Sequence, residues 1–396
     1  MSDPGFNPFG GLPFFGDLAK MVAGQGPISW DAARQLALSI ATGGESEPNV
    51  DPLDRLSFEG LGRVAELQVT TRTGLEVGLA RITPVTPSMF AMRSLDAYRP
   101  LFERLAGSLG ASDPATFDPA GFGSGEEQDP EMAMLAGLLR MMSPLTLGMS
   151  AGSMVGHLAR RSFGQYHLPI PRPASDEVLV LPRAIDAFAE DWSLGKDDLR
   201  LWVCLHELTH HAVLAVPHVR TELEALIRQF VSGFRPDGNA LSQRLNELDP
   251  TDPSMLGIQQ MFSDPEVLLG AMSSDQQRAT APRLDALVAV IVGYVDHILD
   301  TIGNGLIGSY RVLAEAVRRH RLEADQAEVF VARLLGLSIG QDQIDRGKTF
   351  VGGVIERAGE AGLARLWESA RCLPTPAEVD APGLWLARIE LPEQPG

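Results

Sequence analysis

The chain has 396 residues, 44% of them hydrophobic and 21% charged, enough to bury a sizeable core in a globular protein. Its 51 acidic residues outnumber 33 basic ones, and the net charge of −18 argues against nucleic acid or an anionic membrane as partner. Two cysteines, Cys204 and Cys372, make no disulfide framework, and residues 1–16 lack a signal-peptide pattern, so the chain reads as cytoplasmic.

In chain order, residues 1–28 are rich in Gly, Pro and Phe and read as an arm anchored by Phe6, Phe9, Phe14 and Phe15. A helix is predicted over Trp30–Thr42, stopped by Gly43-Gly44. Residues 51–105 look helical again, and 107–130, dense in Gly, Pro, Asp and Ser, read as a mobile loop or a boundary between lobes. Helix resumes over Glu131–Phe163, where small residues from Gly148 to Gly156 would let another helix approach closely. His157 in that stretch reads as a packing or surface histidine. The apolar run 141–158 carries Pro144, several glycines and hydroxyls, which count against a membrane span. The period then changes: Tyr166–Ile170 and Glu177–Leu181 are short and apolar, and are predicted to be two strands of a small sheet or hairpin. Beyond Leu194 the pattern is helical, with breaks expected at 249–253 and 273–282.

One helix carries chemistry. Between Trp202 and Val216 the only charge is Glu207, within His206-Glu-Leu-Thr-His210. Asp197 and Asp198 suit a first turn, Ser193 suits a cap, and Pro217 a stop. Residues four apart share a helical face, so His206 and His210 can offer their imidazoles to one metal ion, with Glu207 beside its water. Zinc fits two neutral nitrogens, a third protein ligand and one open position. The ion would bring the pKa of its water to near 7, and Glu207 would take the proton as that water attacks a carbonyl. The competing reading is a core helix whose histidines bond to backbone. A buried carboxylate and two buried imidazoles without partners would be costly, which favours metal. Cys204 would point about 160° from His206 and reads as packing.

These residues, Trp202-Val-Cys-Leu-His-Glu-Leu-Thr-His-His211, resemble the bacterial zincin-like metallopeptidase type 2 family, best represented in actinobacteria. The resemblance runs along nearly the whole chain. It takes in the Phe-Gly-Asp opening at Phe15, Leu179-Val-Leu-Pro182, Pro217-His-Val-Arg220 and Arg283-Leu-Asp-Ala-Leu287. Leu334-Leu-Gly-Leu337, Arg346-Gly-Lys-Thr-Phe350 and Leu366-Trp367 extend it toward the end. It implies a mainly α, zincin-like helical body, zinc as cofactor, His206 and His210 as ligands and Glu207 as general base. It also implies an acidic stretch on a later helix, here Val292-Gly-Tyr-Val-Asp-His297, where Val292 stands in place of the glutamate expected as third ligand. Asp296, one turn on, is then a third ligand, the acceptor of a ligand histidine's free ring N–H, or a solvated carboxylate. His297 and His218 are further candidates, His211 points off the metal face, and Glu222 and Glu224 read as a solvated face. Tyr294 could donate to the oxyanion or simply pack in the core.

The sequence therefore predicts a zinc-dependent metallohydrolase, a metallopeptidase acting on a peptide or protein with neither nucleic acid nor membrane as partner. The alternatives are a zinc-binding protein without turnover and a helical scaffold. Three regions are expected: 1–45, an arm with the first helix; 46–165, a helical lobe; and 166–396, the catalytic region.

Overall fold

The computed structural model describes residues 26–108, 130–234, 274–323, 333–337 and 339–392, with side chains from 144 onward in the second stretch. The expected loop at 107–130, the break at 249–253 and the phenylalanines of the arm lie outside the described residues, apart from positions at the loop's edges.

The architecture is mainly α, as predicted. α1 (Trp30–Thr42) ends at Gly43, whose φ of 66° is left-handed and accessible to glycine at little cost. α2 (Pro52–Thr73) starts on Asp51, whose carboxylate accepts from the Leu53 N–H at 2.8 Å. α3 (Pro87–Ser108) and α4 (Pro130–Arg161) follow. α1 lies along α4, and glycines set how close they come. A Cβ on Gly152 would stand 3.0 Å from the Ala33 Cα, and one on Gly156 would stand 2.7 Å from the Ile40 Cβ. The small-residue stretch thus packs as the sequence implied.

Two expectations about β structure change. Residues 81–84 form a strand, β1 (Arg81–Pro84), inside a region read as wholly helical. β1 pairs in parallel with β2 (Glu177–Val180), Arg81 opposite Glu177 and Pro84 opposite Val180. The partner of β2 is therefore β1 and not Tyr166–Ile170. The two residues just before that segment meet β2 instead, through an isolated antiparallel bridge, Gly164 to Val180, with the Gln165 N–H on the Leu179 carbonyl at 3.0 Å. A parallel pair needs a long crossover, which local periodicity cannot reveal.

α5 (Pro182–Asp191) leads into α6 (Lys196–Ala215) and α7 (Pro217–Val231). Ser193 does not cap α6. It sits in the connecting turn at φ 53°, and the helix begins after Gly195. Arg200 fixes α6 to its neighbours: its guanidinium grips Asp186 of α5 at 2.6 and 2.9 Å and Asp54 of α2 at 2.7 Å. The expected break at 273–282 is instead a helix start. Ser274 and Gln277 form a capping box at the head of α8 (Asp275–Leu306), which runs on through Pro282.

α8 is buried on all sides from Ala286 to Val295. It is long and apolar enough to cross a membrane, but most of that stretch is enclosed by the fold, as in a core helix. α9 (Tyr310–Leu322), α10 (Gln341–Ala364), the short α11 (Pro376–Val379) and α12 (Pro382–Glu390) complete the body. α8 and α10 cross with backbones in contact: a Cβ on Gly293 would lie 2.7 Å from the Gly347 Cα, and one on Gly347 would fall on the Ala289 carbonyl. Backbone cannot give way as a flexible side chain can. Gly347→Ala should lower the melting temperature by several degrees, a loss of about 1–3 kcal/mol. Thermal unfolding of the variant against wild type reads this directly.

Candidate active site

Every residue from Trp202 to His210 is buried, so α6 takes its two imidazoles and its carboxylate into the core. His206 and His210 share a face, with ring centroids 4.4 Å apart. Each ring is tied at one nitrogen. His210 Nδ1 lies 3.1 Å from the His206 carbonyl and must donate to it. His206 Nδ1 lies 3.0 Å from Glu207 Oε1. Both Nε2 atoms are left without a hydrogen bond among the described residues. With Nδ1 donating, Nε2 carries the lone pair that a metal needs.

Electrostatics agree with this tautomer. Burial drives the His206 pKa well below its ordinary value, with Arg321 adding to the effect. Burial and the neighbouring His206 bring His210 down to about 3. Both rings are neutral at pH 7, so the His206–Glu207 contact is a hydrogen bond rather than an ion pair. Neutral imidazoles are also the ligating form.

Glu207 is 1% exposed. Burial pushes its pKa up to about 7, against the pull of the Tyr166 N–H, which donates to Oε2 at 2.9 Å. The main chain that delivers this N–H passes so close that only glycine fits. A Cβ on Gly164 would stand 2.7 Å from Glu207 Oε2. A carboxyl that titrates near neutrality beside two potential metal donors is suited to taking up and returning a proton.

The other residues named from sequence are placed as follows. Val292 is buried in α8. Asp296 does not join the imidazoles in a three-donor cluster, and among the described residues no three His, Cys, Asp or Glu side chains converge to hold a metal ion. Its oxygens are engaged by Arg321 Nη1 at 2.9 Å and Lys348 Nζ at 3.5 Å. Burial would raise its pKa, but Arg321 and Lys348 together hold it below the usual carboxylate range. The link to the histidines runs through packing: Arg321 lies over the Trp202 ring at 5.7 Å, and Trp202 stacks on His206 at 5.0 Å. Tyr294 packs edge-on against Trp367 at 4.9 Å, and burial raises its pKa to about 12. Two residues apart on a helix means about 200° of rotation, so Tyr294 and Asp296 cannot both face the imidazoles. His297 bonds Glu360 at 3.0 Å, and His218 opens α7 beside a different cavity. His211 accepts or donates at Nδ1 with the Tyr166 hydroxyl, 2.9 Å away. Cys204 is core packing.

Sequence reasoning passed over Gly164, Tyr166 and His167. The Tyr166 ring stacks on His210 at 6.0 Å, and its N–H holds Glu207. His167, half-buried, lies within electrostatic range of both His206 and Glu207. Reading 166–170 as a regular strand hid the last two, and Gly164 fell between that strand and the preceding helix. The signal available was a glycine with two ring-bearing residues close behind it, just ahead of β2.

A family model described as zincin-like metallopeptidase matches residues 28–386. A solved structure from Chloroflexus aurantiacus, described as that of a candidate hydrolase with a novel fold, is 22% identical. The match covers 92% of this chain and 100% of that one, at a TM-score of 0.61, and is a likeness of fold. Comparison with curated proteins gives no match.

The raised Glu207 pKa has a thermodynamic signature in metal-free protein. Below about pH 4.5 the carboxyl is protonated folded or unfolded, and burying it carries no ionisation penalty. As pH rises to about 7, the unfolded chain ionises first, so stability is lost over that window. His210 works the other way, losing stability as pH falls from about 6.5 toward about 3, but does so with or without Glu207. The stability of Glu207→Gln relative to wild type should therefore grow between pH 5 and pH 8, by up to ~3 kcal/mol. Denaturant titrations across that range would show it, and a difference constant with pH would remove the buried-carboxyl account.

Proposed function

The chain belongs to the zincin-like metallopeptidase family, and on that premise we propose that it is a zinc-dependent hydrolase cleaving peptide bonds with Glu207 as general base. The observation that carries the reading is the pair of neutral imidazoles, each tied at Nδ1 and, among the described residues, free at Nε2, with a carboxyl of pKa about 7 beside them.

His206 and His210 would hold zinc through Nε2, and the tie of each Nδ1 fixes ring orientation in advance. Zinc, when bound, supplies Lewis acidity, bringing the pKa of water near 7 and polarising the scissile carbonyl. Glu207 takes the proton from the attacking water onto its carboxylate as the oxygen–carbon bond forms. It returns that proton to the departing amine nitrogen as the carbon–nitrogen bond breaks. The Tyr166 N–H holds Oε2 throughout and sets where the other lone pairs point. Asp296 serves as a positioning residue: it anchors Arg321, which steadies Trp202 against His206. The substrate is a peptide or protein in the cytoplasm, consistent with two free buried cysteines and a net charge of −18.

A second reading, a zinc-binding protein without turnover, is favoured by Val292 and by the lack of a third donor at the imidazoles among the described residues. The two separate on Glu207→Gln, which should keep bound zinc near wild type and abolish hydrolysis of a generic peptide pool. Wild type with no turnover at full zinc occupancy would establish the second reading. His210→Ala should lose zinc, read by metal analysis, and with it the stabilisation that ligand binding gives the folded state. Gly164→Ala is the finer test. It should leave zinc content intact while cutting kcat by roughly a hundredfold, because it moves the carboxyl and spares the ligands.

A further inference from the structure

Beside Tyr166 the fold leaves a cavity of about 300 Å³ between α3, α6, α7 and the stretch from Gln165 to Leu179. Tyr166 and His211 form part of its wall, so the cavity adjoins the candidate active site: the Tyr166 ring is stacked on His210. Arg172 also lines it, and among the described residues no carboxylate contacts its guanidinium, although the Glu207 carboxyl lies within its electrostatic range. The residue is 8% exposed. Its Nη2 donates to the Ser94 hydroxyl at 2.8 Å and the Tyr98 hydroxyl at 3.4 Å, and the guanidinium lies over the Phe90 and Tyr98 rings. Among the described residues Nε is enclosed without a partner. Nη1 makes no hydrogen bond, and no carboxylate pairs with Arg172 among the described residues.

In a chain with 51 acidic residues, leaving this cation unpaired is informative. A buried guanidinium held only by neutral hydroxyls and ring faces is costly unless an anion completes it. The other charges at the cavity do not cancel it. Arg220 donates to the Arg172 carbonyl and is itself paired with Glu224 at 2.9 Å. Arg93 is paired with Glu177, and Asp96 is exposed. Ala97, Leu179 and Leu214 supply apolar wall. The space suits about one residue of a ligand rather than a long segment.

We propose that this cavity binds a carboxylate, presented by a peptide substrate either as its C-terminus or as an acidic side chain, with Arg172 as the recognising group. The inference rests on the hydrolase reading only in making the anion part of a substrate. Guanidinium and carboxylate match in shape and charge, and a hydrogen bond between ions is stronger than one between neutral groups.

Calorimetric titration of chelator-treated protein keeps the ligand from binding through a metal. Three probes serve: N-acetyl-alanyl-alanine, its C-terminal amide, and N-acetyl-glutamyl-alanine amide. At least one carboxylate peptide should bind roughly tenfold or more tightly than the uncharged amide, and which one does so identifies the source of the carboxylate. Arg172→Gln should erase that preference. If Arg172→Gln does not fold, Arg172→Lys, which keeps charge and loses the planar fork, should weaken it several-fold. Equal binding of acids and amide overturns the proposal, as does a preference untouched by substitution at Arg172 in folded protein. Peptide hydrolysis without carboxylate preference would sink the cavity and keep the enzyme. Carboxylate preference in a protein with no hydrolysis would do the reverse.

Discussion

The structure turns on the placing of one carboxylate where water is nearly absent. Glu207 sits within a helix whose neighbours are apolar, and such a group is stable only if it is neutral or fully hydrogen-bonded. The fold meets that demand locally. The main chain at Gly164–Tyr166 comes in close enough to donate an N–H, which requires a residue without a side chain at 164. His206 occupies the other oxygen, and through that bond its own tautomer is set. Carboxyl placement, imidazole orientation and main-chain path are therefore one arrangement. A change in any of them moves the others.

Around that arrangement the body is held by close backbone contacts and by buried charge. α8 against α10 and α1 against α4 meet at glycines, where approach is limited by main chain and not by side-chain volume. Arg200 joins three helices, and Arg321 is fixed between Asp296 and Trp202. Such fixed packing holds Trp202 against His206.

Much of this was legible in the sequence where the signal is local. The i, i+4 histidines, the stop at Pro217, the end of α1 at Gly43 and the small-residue seam of α4 each follow from helical spacing or from one residue's backbone freedom. What was hidden is non-local. β1 looks like part of a helical stretch because its partner lies far along the chain, and Tyr166–Ile170 looks like a strand because its composition is that of one. Ser193 has the chemistry of a cap but a left-handed backbone in the turn before Gly195. The break anticipated near Pro282 fails because Pro282 stands on an exposed side of α8, where water can satisfy the carbonyl it leaves unbonded, and the helix runs on past it. At the site, the histidine pair and its glutamate were readable as a pattern. The Tyr166 contact and the isolation of Arg172 exist only once distant segments meet.

The parallel pairing of β1 with β2 also bears on how the molecule is made. The two strands are separated in sequence by α3, α4 and everything between, so β1 emerges from the ribosome long before anything can pair with it. During that interval its backbone edge is open, and the helices around it have no sheet to rest on. Final assembly must wait for the segment that also brings Gly164 and Tyr166 to the histidine helix. Nascent chains halted before that point would be the form most exposed to aggregation and most dependent on chaperones.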